Sequence, residues 1–419
     1  MIDTAAPLTT RALLTIPDFR RLWSAQLISD FGNALTSLAL IIIVNALTHS
    51  TAAVAGLALA VAVPQVIFGL ISGVYVDRLD RRRIMIVSDL LRGVLVLGFI
   101  PAALGGHVWA LYVLGFAQAA VGTMFTPARS ALMPTLIPES GLLAANSLMQ
   151  TARMVATTLG AAAVGVAVGG LNLTWPVFLV DAVTFFASML LVMGITPPRP
   201  EADAEADEAG PGFLAELGEG LRVIGRSRAL SGILIAIGVA ELGFGATQVL
   251  YAPYLEQELH VSVGWLGGVE LAMTLAMVLS GSVVALLAPR LKAQVLAPAA
   301  MIVAGLTLGV VSRLTSIWQL LPNEVLLGLA MAPVQASLMT IFQKATAPQA
   351  RGRVGSVLGT VSGVSTVVSI AAAGFLGDRI GLRPAFLLMG TMTVGAGLLS
   401  AWLFRERSAV PAVSPAPLT

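Results

Sequence analysis

The chain has 419 residues, of which 57% are hydrophobic and only 11% are charged. Soluble domains carry roughly 25% charged residues, so this composition excludes a water-soluble globular protein and predicts an integral membrane protein. The sequence contains no Cys, which excludes disulfide frameworks, Cys-ligated metal sites and thiol nucleophiles. Three scattered His residues indicate no metal site, and a net charge of +2 does not indicate nucleic-acid binding.

Twelve stretches are long and apolar enough to cross a membrane as helices, which takes about 20 mostly apolar residues. They are rich in Ala, Leu and Gly and lack the short alternating segments of a membrane β-barrel. We number the predicted helices 1 to 12 in chain order. The stretches are 22–47, 51–76, 84–104, 108–130, 142–170, 173–194, 229–252, 262–288, 293–312, 316–340, 353–376 and 383–404.

The distribution of basic residues predicts the orientation of these helices. If the N-terminus lies in the cytoplasm, most of the 24 Lys and Arg residues fall in cytoplasmic segments, as the positive-inside rule requires. One helix more or fewer would scramble this pattern. The sequence therefore predicts an all-α plasma-membrane protein with twelve transmembrane helices and both termini cytoplasmic. The Ala-, Val- and Gly-rich composition favours a bacterial inner membrane.

An internal repeat divides the chain into two pseudo-symmetric six-helix bundles, because matching residues recur at about half the chain length. The recurring pairs are Pro127 and Pro333, Leu132 and Leu338, and Met133 and Met339. Both copies start on the same side, as in parallel transporter repeats. The predicted organisation is an N-terminal bundle at 1–194, a cytoplasmic linker at 195–228 and a C-terminal bundle at 229–419. The linker is predicted to be an acidic spacer followed by an amphipathic helix at 213–224.

The segment between helices 2 and 3 carries the most specific motif. It reads Gly73-Val-Tyr-Val-Asp77-Arg78-Leu-Asp80-Arg81-Arg82-Arg83. This spacing resembles the G-x-x-x-D-R-x-x-R-R signature of the major facilitator superfamily, at the position where that family carries it. The resemblance implies the fold of that superfamily and an alternating-access transporter. It also implies that the motif forms a cytoplasmic gate, in which Asp77 faces the N-terminus of helix 11, where the helix dipole favours an anion.

Shorter segments resemble the bacterial efflux branch of this superfamily, which includes the enterobactin exporter and the macrolide efflux proteins. These segments are 29–34, 88–93, 126–129, 145–148 and 181–186. Within them, Asp89 and Arg92 of helix 3 and Arg129 at the end of helix 4 are predicted to support the gate. The antiporter signature of helix 5 is incomplete, because its glycines are present without the accompanying proline.

Polar residues form a stripe on two helices of the first half. They are Gln26, Asp30 and Asn33 on helix 1, and Asn146, Gln150 and Arg153 on helix 5. Their spacing places each set on one helical face. A polar face is costly in lipid, so both are predicted to line a cavity or to contact protein. Asp30 and Arg153 lie at similar depth. They are therefore predicted either to form a structural ion pair or to bind protons or cargo.

The second half carries acidic residues without basic neighbours. Glu241 lies in helix 7, with Gln248 on the same face, and Glu270 lies in helix 8, whereas the interior of helices 7–12 contains no Lys or Arg. Burial without a cation favours the protonated form of a carboxyl. Asp30, Glu241 and Glu270 are therefore predicted to carry protons or bind cargo. A neutral Glu241 hydrogen-bonded to the backbone or to Gln248 is the alternative, and Glu324 of helix 10 is predicted to contribute less.

The absent motifs narrow the function further. Neither Lys292 nor Lys344 follows a phosphate-binding loop, and no hydrolase or metalloprotease motif occurs, so neither an enzyme nor a bound cofactor is predicted. The predicted function is proton-coupled export of a hydrophobic or amphipathic small molecule, such as a drug or siderophore. We expect a functional monomer whose partners are cargo, protons and membrane lipids. A lipid or lysophospholipid flippase and an uptake carrier of the same fold are the alternatives.

Overall fold

The structure of the protein is a computed structural model that describes residues 10–170, 173–196, 213–287, 292–347 and 350–404. Side chains are described within these ranges except at 70–78, 169–170, 213–216 and 285–287. Within the described part, 12 helices are long and apolar enough to cross a membrane. This confirms the number of helices predicted from the sequence.

Helices 1 to 6 form the first half, preceded by a short helix at Thr10–Thr15. Helices 4 and 7 are each broken once, and helix 5 continues as a π-helix at Gly165–Gly170. Helices 1 to 6 are Pro17–Thr48, Thr51–Arg78, Arg81–Leu104, Val108–Gly122 with Phe125–Leu136, Leu142–Val164 and Trp175–Met193. Helices 7 to 12 are Arg228–Phe244 with Thr247–Pro253 and the π-helical Tyr254–Glu258, Trp265–Leu287, Ala293–Val311, Ile317–Ala345, Arg351–Ile380 and Leu382–Leu403.

The helices of the two halves pack in the same pattern. Helix 1 packs against helices 5 and 6, and the equivalent helix 7 packs against helices 11 and 12. Helices 2 and 3 both pack against helix 4, just as helices 8 and 9 pack against helix 10. The halves meet where helix 2 contacts helix 11 and helix 5 contacts helix 8. These matching contacts are those of two repeated six-helix bundles.

Small residues permit the close contacts between helices. In the second half, helices 9 and 12 cross at Gly305, Gly309 and Gly390, where a Cβ on Gly390 would collide with the backbone of Gly305 and Gly309. Between the halves, Gly165 of helix 5 lies against Gly267 of helix 8. Such contacts replace the hydrophobic driving force that is lacking between helices in lipid.

The amphipathic helix predicted in the linker is present as Phe213–Gly225. It packs on the first turns of helix 11, where Glu219 forms an ion pair with Arg353. Ile224 is buried in the cluster that includes Val354 and Val357 of helix 11. The linker helix is thus attached to the second half, while the predicted acidic segment at 197–212 lies outside the described residues.

Candidate functional site

The two halves are joined where helix 1 ends and helix 2 begins. The side-chain amide of Asn45 donates a hydrogen bond to the Glu256 carboxylate of helix 7. The Nδ1 atom of His49 lies 3.3 Å from the same carboxylate, and Gln257 donates to the His49 carbonyl oxygen at 3.3 Å. These contacts close the bundle at the end that the sequence predicts to face outward.

Asp378, at the C-terminal end of helix 11, binds the N-terminus of helix 2 in the other half. Its carboxylate accepts hydrogen bonds from the backbone N–H groups of Thr51 at 2.9 Å and Ala52 at 3.2 Å. The Ser50 hydroxyl donates a third at 2.9 Å. The N-terminus of a helix favours an anion, because its first N–H groups lack partners and its dipole is positive there. Asp378 therefore stabilises the closed end.

The sequence around Asp378 repeats the spacing of the predicted gate motif. Gly374, Asp378 and Arg379 have the spacing G-x-x-x-D-R, as do Gly73, Asp77 and Arg78. The first set lies at the end of helix 11 and the second at the end of helix 2. Because helices 2 and 11 run antiparallel, the two sets lie at opposite ends of this helix pair. Sequence reasoning missed the repeat at 374–379, although its spacing was visible. The side chains of Gly73, Asp77 and Arg78 lie outside the described residues, so their contact with helix 11 stays a prediction.

The remaining basic residues of the predicted motif lie at the start of helix 3. Arg82 donates hydrogen bonds to the carbonyl oxygens of Val192, at 3.2 Å, and Met193 at the end of helix 6. Arg81 is half-buried. Asp80 accepts a hydrogen bond from the backbone of Arg83 and so caps helix 3. In the described residues, the motif is therefore anchored within the first half.

Asp89 and Arg92 of helix 3 are buried and have separate partners rather than a direct ion pair. Asp89 accepts a hydrogen bond at 2.6 Å from Ser188 of helix 6. Arg92 donates to Asn33 of helix 1, and its guanidinium lies 4.2 Å from the centre of the Phe185 ring. The two residues therefore tie helix 3 to helices 1 and 6, and their contribution to the gate stays a prediction.

Asp30 lies in the most highly charged region of the first half. It is buried, and the charges of Arg92, Arg129 and Arg153 all act on its carboxyl. No direct ion pair joins Asp30 to Arg153 among the described residues. The predicted end of helix 4 near residue 130 is too early, because its second segment runs to Leu136 and places Arg129 inside the helix. Arg129 therefore lies within helix 4 rather than at its end.

The two predicted polar stripes differ in exposure. On helix 5, Asn146, Gln150 and Arg153 are all exposed, while the opposite face of this helix is buried. On helix 1, Gln26 and Asp30 are both buried. The helix 5 stripe is thus exposed at the surface of the described structure, and the helix 1 stripe contacts protein.

A cavity of about 520 Å³ lies within the second half, and its wall is mainly apolar. Glu241 of helix 7 is half-buried and contributes the charged group of this wall. Its carboxylate accepts hydrogen bonds at 3.1 Å from Ser362 and from Thr366 of helix 11, rather than from the backbone or Gln248. Gln248 is exposed on the second segment of helix 7 and is not among the described residues that form the wall. The apolar wall includes Ile233, Ile237, Phe244, Met301, Met331, Leu338, Met339 and Phe342.

A second acidic cluster lies between this cavity and the closed end. Glu324 of helix 10 is fully buried at 0% exposure, and its Oε1 atom accepts a hydrogen bond from the Tyr251 hydroxyl of helix 7. The charge of Glu270 of helix 8 acts on both groups. The sequence did not reveal the burial of Glu324 or its bond to Tyr251, because both come from the packing of distant helices.

The described residues contain no group of three or more His, Cys, Asp or Glu side chains that could hold a metal ion. The functional groups of the site are therefore carboxylates, hydroxyls, amides and guanidinium groups around an apolar cavity. Such groups can bind a small organic molecule.

The sequence matches the family model of the Major Facilitator Superfamily over residues 22–306 and 233–418. These matches together extend over nearly the whole chain. The chain belongs to the major facilitator superfamily. Relatives in this superfamily include macrolide efflux protein A of Streptococcus pyogenes, 24% identical over 395 residues that cover 90% of this chain and 93% of the relative. The multidrug efflux pump Tap of Mycolicibacterium fortuitum is 27% identical over 403 residues, which cover 91% of this chain and 95% of the relative.

Solved structures of other transporters share the fold of this chain. The nucleoside transporter NupG superposes with a TM-score of 0.71 at 13% identity, covering 94% of this chain and 100% of that chain. A bacterial homologue of the iron transporter ferroportin, in an inward-facing state, superposes with a TM-score of 0.70 at 16% identity. The match covers 94% of this chain and 98% of that chain. Such identities establish the architecture alone. With its twelve helices and bacterial efflux relatives, this superfamily member is a multi-pass transporter of the bacterial inner membrane.

Proposed function

We propose that the protein exports hydrophobic or amphipathic small molecules, neutral or cationic, in exchange for protons. The observation that carries this proposal is the apolar cavity of about 520 Å³ with the Glu241 carboxylate in its wall. Drug-sized ligands bind in cavities of roughly 300–1,000 Å³ that are mostly apolar and contain a few polar groups. The relatives named as macrolide and multidrug efflux proteins support export as the direction.

The composition of the wall suits cargo of varied shape. Met301, Met331 and Met339 are part of it, and methionine side chains are flexible and polarizable enough to adapt to different ligands. A cationic group on the cargo would pair with Glu241, whose hydrogen-bond partners in helix 11 are neutral hydroxyls. This arrangement favours neutral and cationic molecules over anions.

The contacts of Glu241 accommodate both protonation states. Thr366 lies 3.1 Å from the carboxylate and its hydroxyl also lies 2.9 Å from the Ser362 carbonyl oxygen. A hydroxyl has one hydrogen to donate. An ionised Glu241 accepts that hydrogen, whereas a protonated Glu241 donates its own to Thr366, which then donates to the carbonyl. Asp30 and Glu270 are further carboxyls that we propose bind protons or cargo during transport.

Alternating access requires that the two ends of the bundle open in turn. The described contacts of Asp378 and Glu256 close one end, and we propose that this end faces the outside. The cytoplasmic end would close when Asp77 reaches the N-terminus of helix 11. A proton that moves inward gains about 2.3 kcal/mol per 100 mV of membrane potential, which can drive export against a gradient.

The test is transport by purified protein in liposomes under an imposed pH gradient. We use the macrolide erythromycin and the lipophilic cation ethidium as probes. Gradient-driven accumulation of either probe, abolished when a protonophore collapses the gradient, supports the proposal. Transport that is unaffected by the protonophore would refute proton coupling. Movement of labelled lysophospholipid between leaflets, without movement of either probe, would instead assign the protein as a flippase.

A further inference from the structure

The carboxyl group of Glu324 is enclosed by protein and only half satisfied. Oε1 accepts the hydrogen bond from Tyr251, while Oε2 is buried without a hydrogen-bond partner among the described residues. The neighbouring Asn323 donates at 3.2 Å to the Thr307 carbonyl oxygen of helix 9 and so does not reach it. A buried polar atom without a partner is destabilising and calls for an explanation.

The charges around Glu324 do not compensate a carboxylate. The titratable groups that act on it are the Tyr251 hydroxyl of helix 7 and the Glu270 carboxyl of helix 8, and no described Lys or Arg forms an ion pair with it. Ionisation of both carboxyls in a poorly solvated site is unfavourable, because their like charges repel each other. A proton on Oε2 removes the like-charge repulsion and the cost of burying an unpaired charge, so the site is built to hold one.

The cluster lies apart from the cargo cavity. Glu324 is seven residues from Met331 on helix 10, a distance of about 10 Å along the axis, and Met331 belongs to the cavity wall. Neither Glu324, Glu270 nor Tyr251 is among the described wall residues. Glu324 is enclosed, whereas Glu270 is exposed at the surface of the described structure.

Tyr251 connects this cluster to the closed end of the bundle. It lies on Thr247–Pro253, which a break at Gly245 and Ala246 separates from the first segment of helix 7. This segment contacts helices 1 and 2 of the other half, and it continues into the π-helical turn that carries Glu256. Separation of the halves at this end therefore moves the segment that carries the Tyr251 hydroxyl.

We propose that Glu324 is the proton-binding carboxyl of the transport cycle, with Tyr251 as its positioning residue, and that it acts separately from the cargo-binding Glu241. Resting on the proposed function, this assigns cargo and proton to different carboxyls of the second half. A proton arriving when the closed end opens forms an O–H bond at Oε2 and neutralises the group. The proton leaves later in the cycle, to the Glu270 carboxylate or to water, when Tyr251 stabilises the carboxylate that remains.

The experiment compares Glu324→Gln with wild type in liposomes, using ethidium as the probe. Glu139→Gln makes the same chemical change at an exposed position before helix 5 and serves as the matched control. We expect Glu324→Gln to lose pH-gradient-driven accumulation by at least about tenfold, a typical size for energetic coupling between sites. It should retain gradient-independent exchange of ethidium, and Glu139→Gln should match wild type in both assays.

Two further measurements keep the outcome decisive. Tyr251→Phe retains the carboxyl and removes the donor to its ionised form, so the pH of half-maximal exchange should rise. Infrared difference spectra over a pH titration of the detergent-solubilised protein should show a protonated-carboxyl band that Glu324→Gln lacks and Glu139→Gln keeps. This readout needs no transport, so it decides the proton site even if wild type fails to respond to a pH gradient and the proposed function falls.

Gradient-driven accumulation by Glu324→Gln at the wild-type level would overturn the proposal. So would an infrared titration that is the same in Glu324→Gln and wild type. A folded Glu324→Gln protein that also loses ethidium exchange would show that Glu324 serves cargo binding or packing, which likewise contradicts the separation of proton and cargo.

Discussion

The two halves of the protein have the same arrangement of helices but differ in the groups that surround their buried acids. In the first half, acidic and basic groups occur together, so that the charges of Arg92, Arg129 and Arg153 act on Asp30, and Arg92 also acts on Asp89 and Asp181. In the second half, Glu241 and Glu324 have hydroxyl groups as their hydrogen-bond donors. Nearby cations favour the ionised form of an acid, so the arginines of the first half oppose the protonation of its acids. We propose that the second half gains and loses a proton or a cation.

The largest effect that this contrast predicts is on the stability of the first half. Arg92→Leu removes the cation that lies between helices 1, 3 and 6 and leaves Asp89 and Asp181 without it. Breaking a buried charge network by removing one partner costs about 3–5 kcal/mol. We expect little folded, monodisperse protein and a lower melting temperature in detergent. Arg92→Lys should fall between Leu and wild type, because it keeps the charge but loses the planar contact with Phe185. A melting temperature for Arg92→Leu equal to that of wild type would contradict the contrast.

A substitution in the second half should affect transport and leave stability intact. Glu241→Gln removes the charge but can still hydrogen-bond to Ser362 and Thr366, accepting from one hydroxyl and donating to the other, so ethidium efflux should fall about tenfold, or about 1.4 kcal/mol. Its melting temperature should stay close to that of wild type. Glu241→Asp, which keeps the charge on a shorter side chain, should recover part of the activity. An equal loss for a neutral hydrophobic dye would show that Glu241 does not select cations.

A single substitution at the closed end should have a smaller effect, because several contacts hold that end together. Asp378→Asn weakens the interaction with the N-terminus of helix 2, which is typically worth about 0.3–1 kcal/mol, so the population open at this end should rise a few-fold. The chain has no Cys, so spin labels on Leu104→Cys and Arg313→Cys, one in each half, can report the distance without background. An unchanged distance distribution would show that Asp378 does not help to hold the closed end together.

The smallest effect is expected where an ion pair is exposed. Glu219 and Arg353 pair across the linker helix and helix 11, with 42% and 39% of their side chains accessible. Exposed pairs contribute about 0–1 kcal/mol, so Glu219→Gln should leave both melting temperature and efflux near wild type. A strong loss of transport in this variant would show that the linker helix regulates the cytoplasmic end, and the contrast between the halves would then have to include the linker.

Much of the architecture can be predicted because a membrane constrains the sequence strongly. A helix that crosses lipid must be long and apolar, so the number of helices follows from hydropathy, and most predicted ends agree within a few residues. The differences are informative. Helix 1 begins at Pro17 instead of 22, because Asp18, Arg20 and Arg21 lie on its first turns without ending it. Helix 4 extends to Leu136 across a break at Thr123 and Met124, which hydropathy does not reveal.

The candidate site was predictable only in part. Polar residues in apolar helices are visible in a sequence, and Asp30, Glu241 and Glu270 stand out for that reason. Their partners are not visible, because the hydroxyls that bind Glu241 are 121 and 125 residues away in the chain. The apolar cavity, with Gln335 in its wall, carries no local sequence signal. The hydrogen bond of Asp378 to helix 2 spans 327 residues and likewise depends on how the halves meet.

The sequence by itself determined the membrane location, the twelve helices, the repeat and the family, since each of these follows from local composition or from a contiguous motif. Only the tertiary structure decided which acids are balanced by arginines and which are not. The physical reason is that the proton and cation affinity of a carboxyl depends on its burial and on the groups packed around it. In this protein, those groups are brought together by contacts between helices that are distant in the chain.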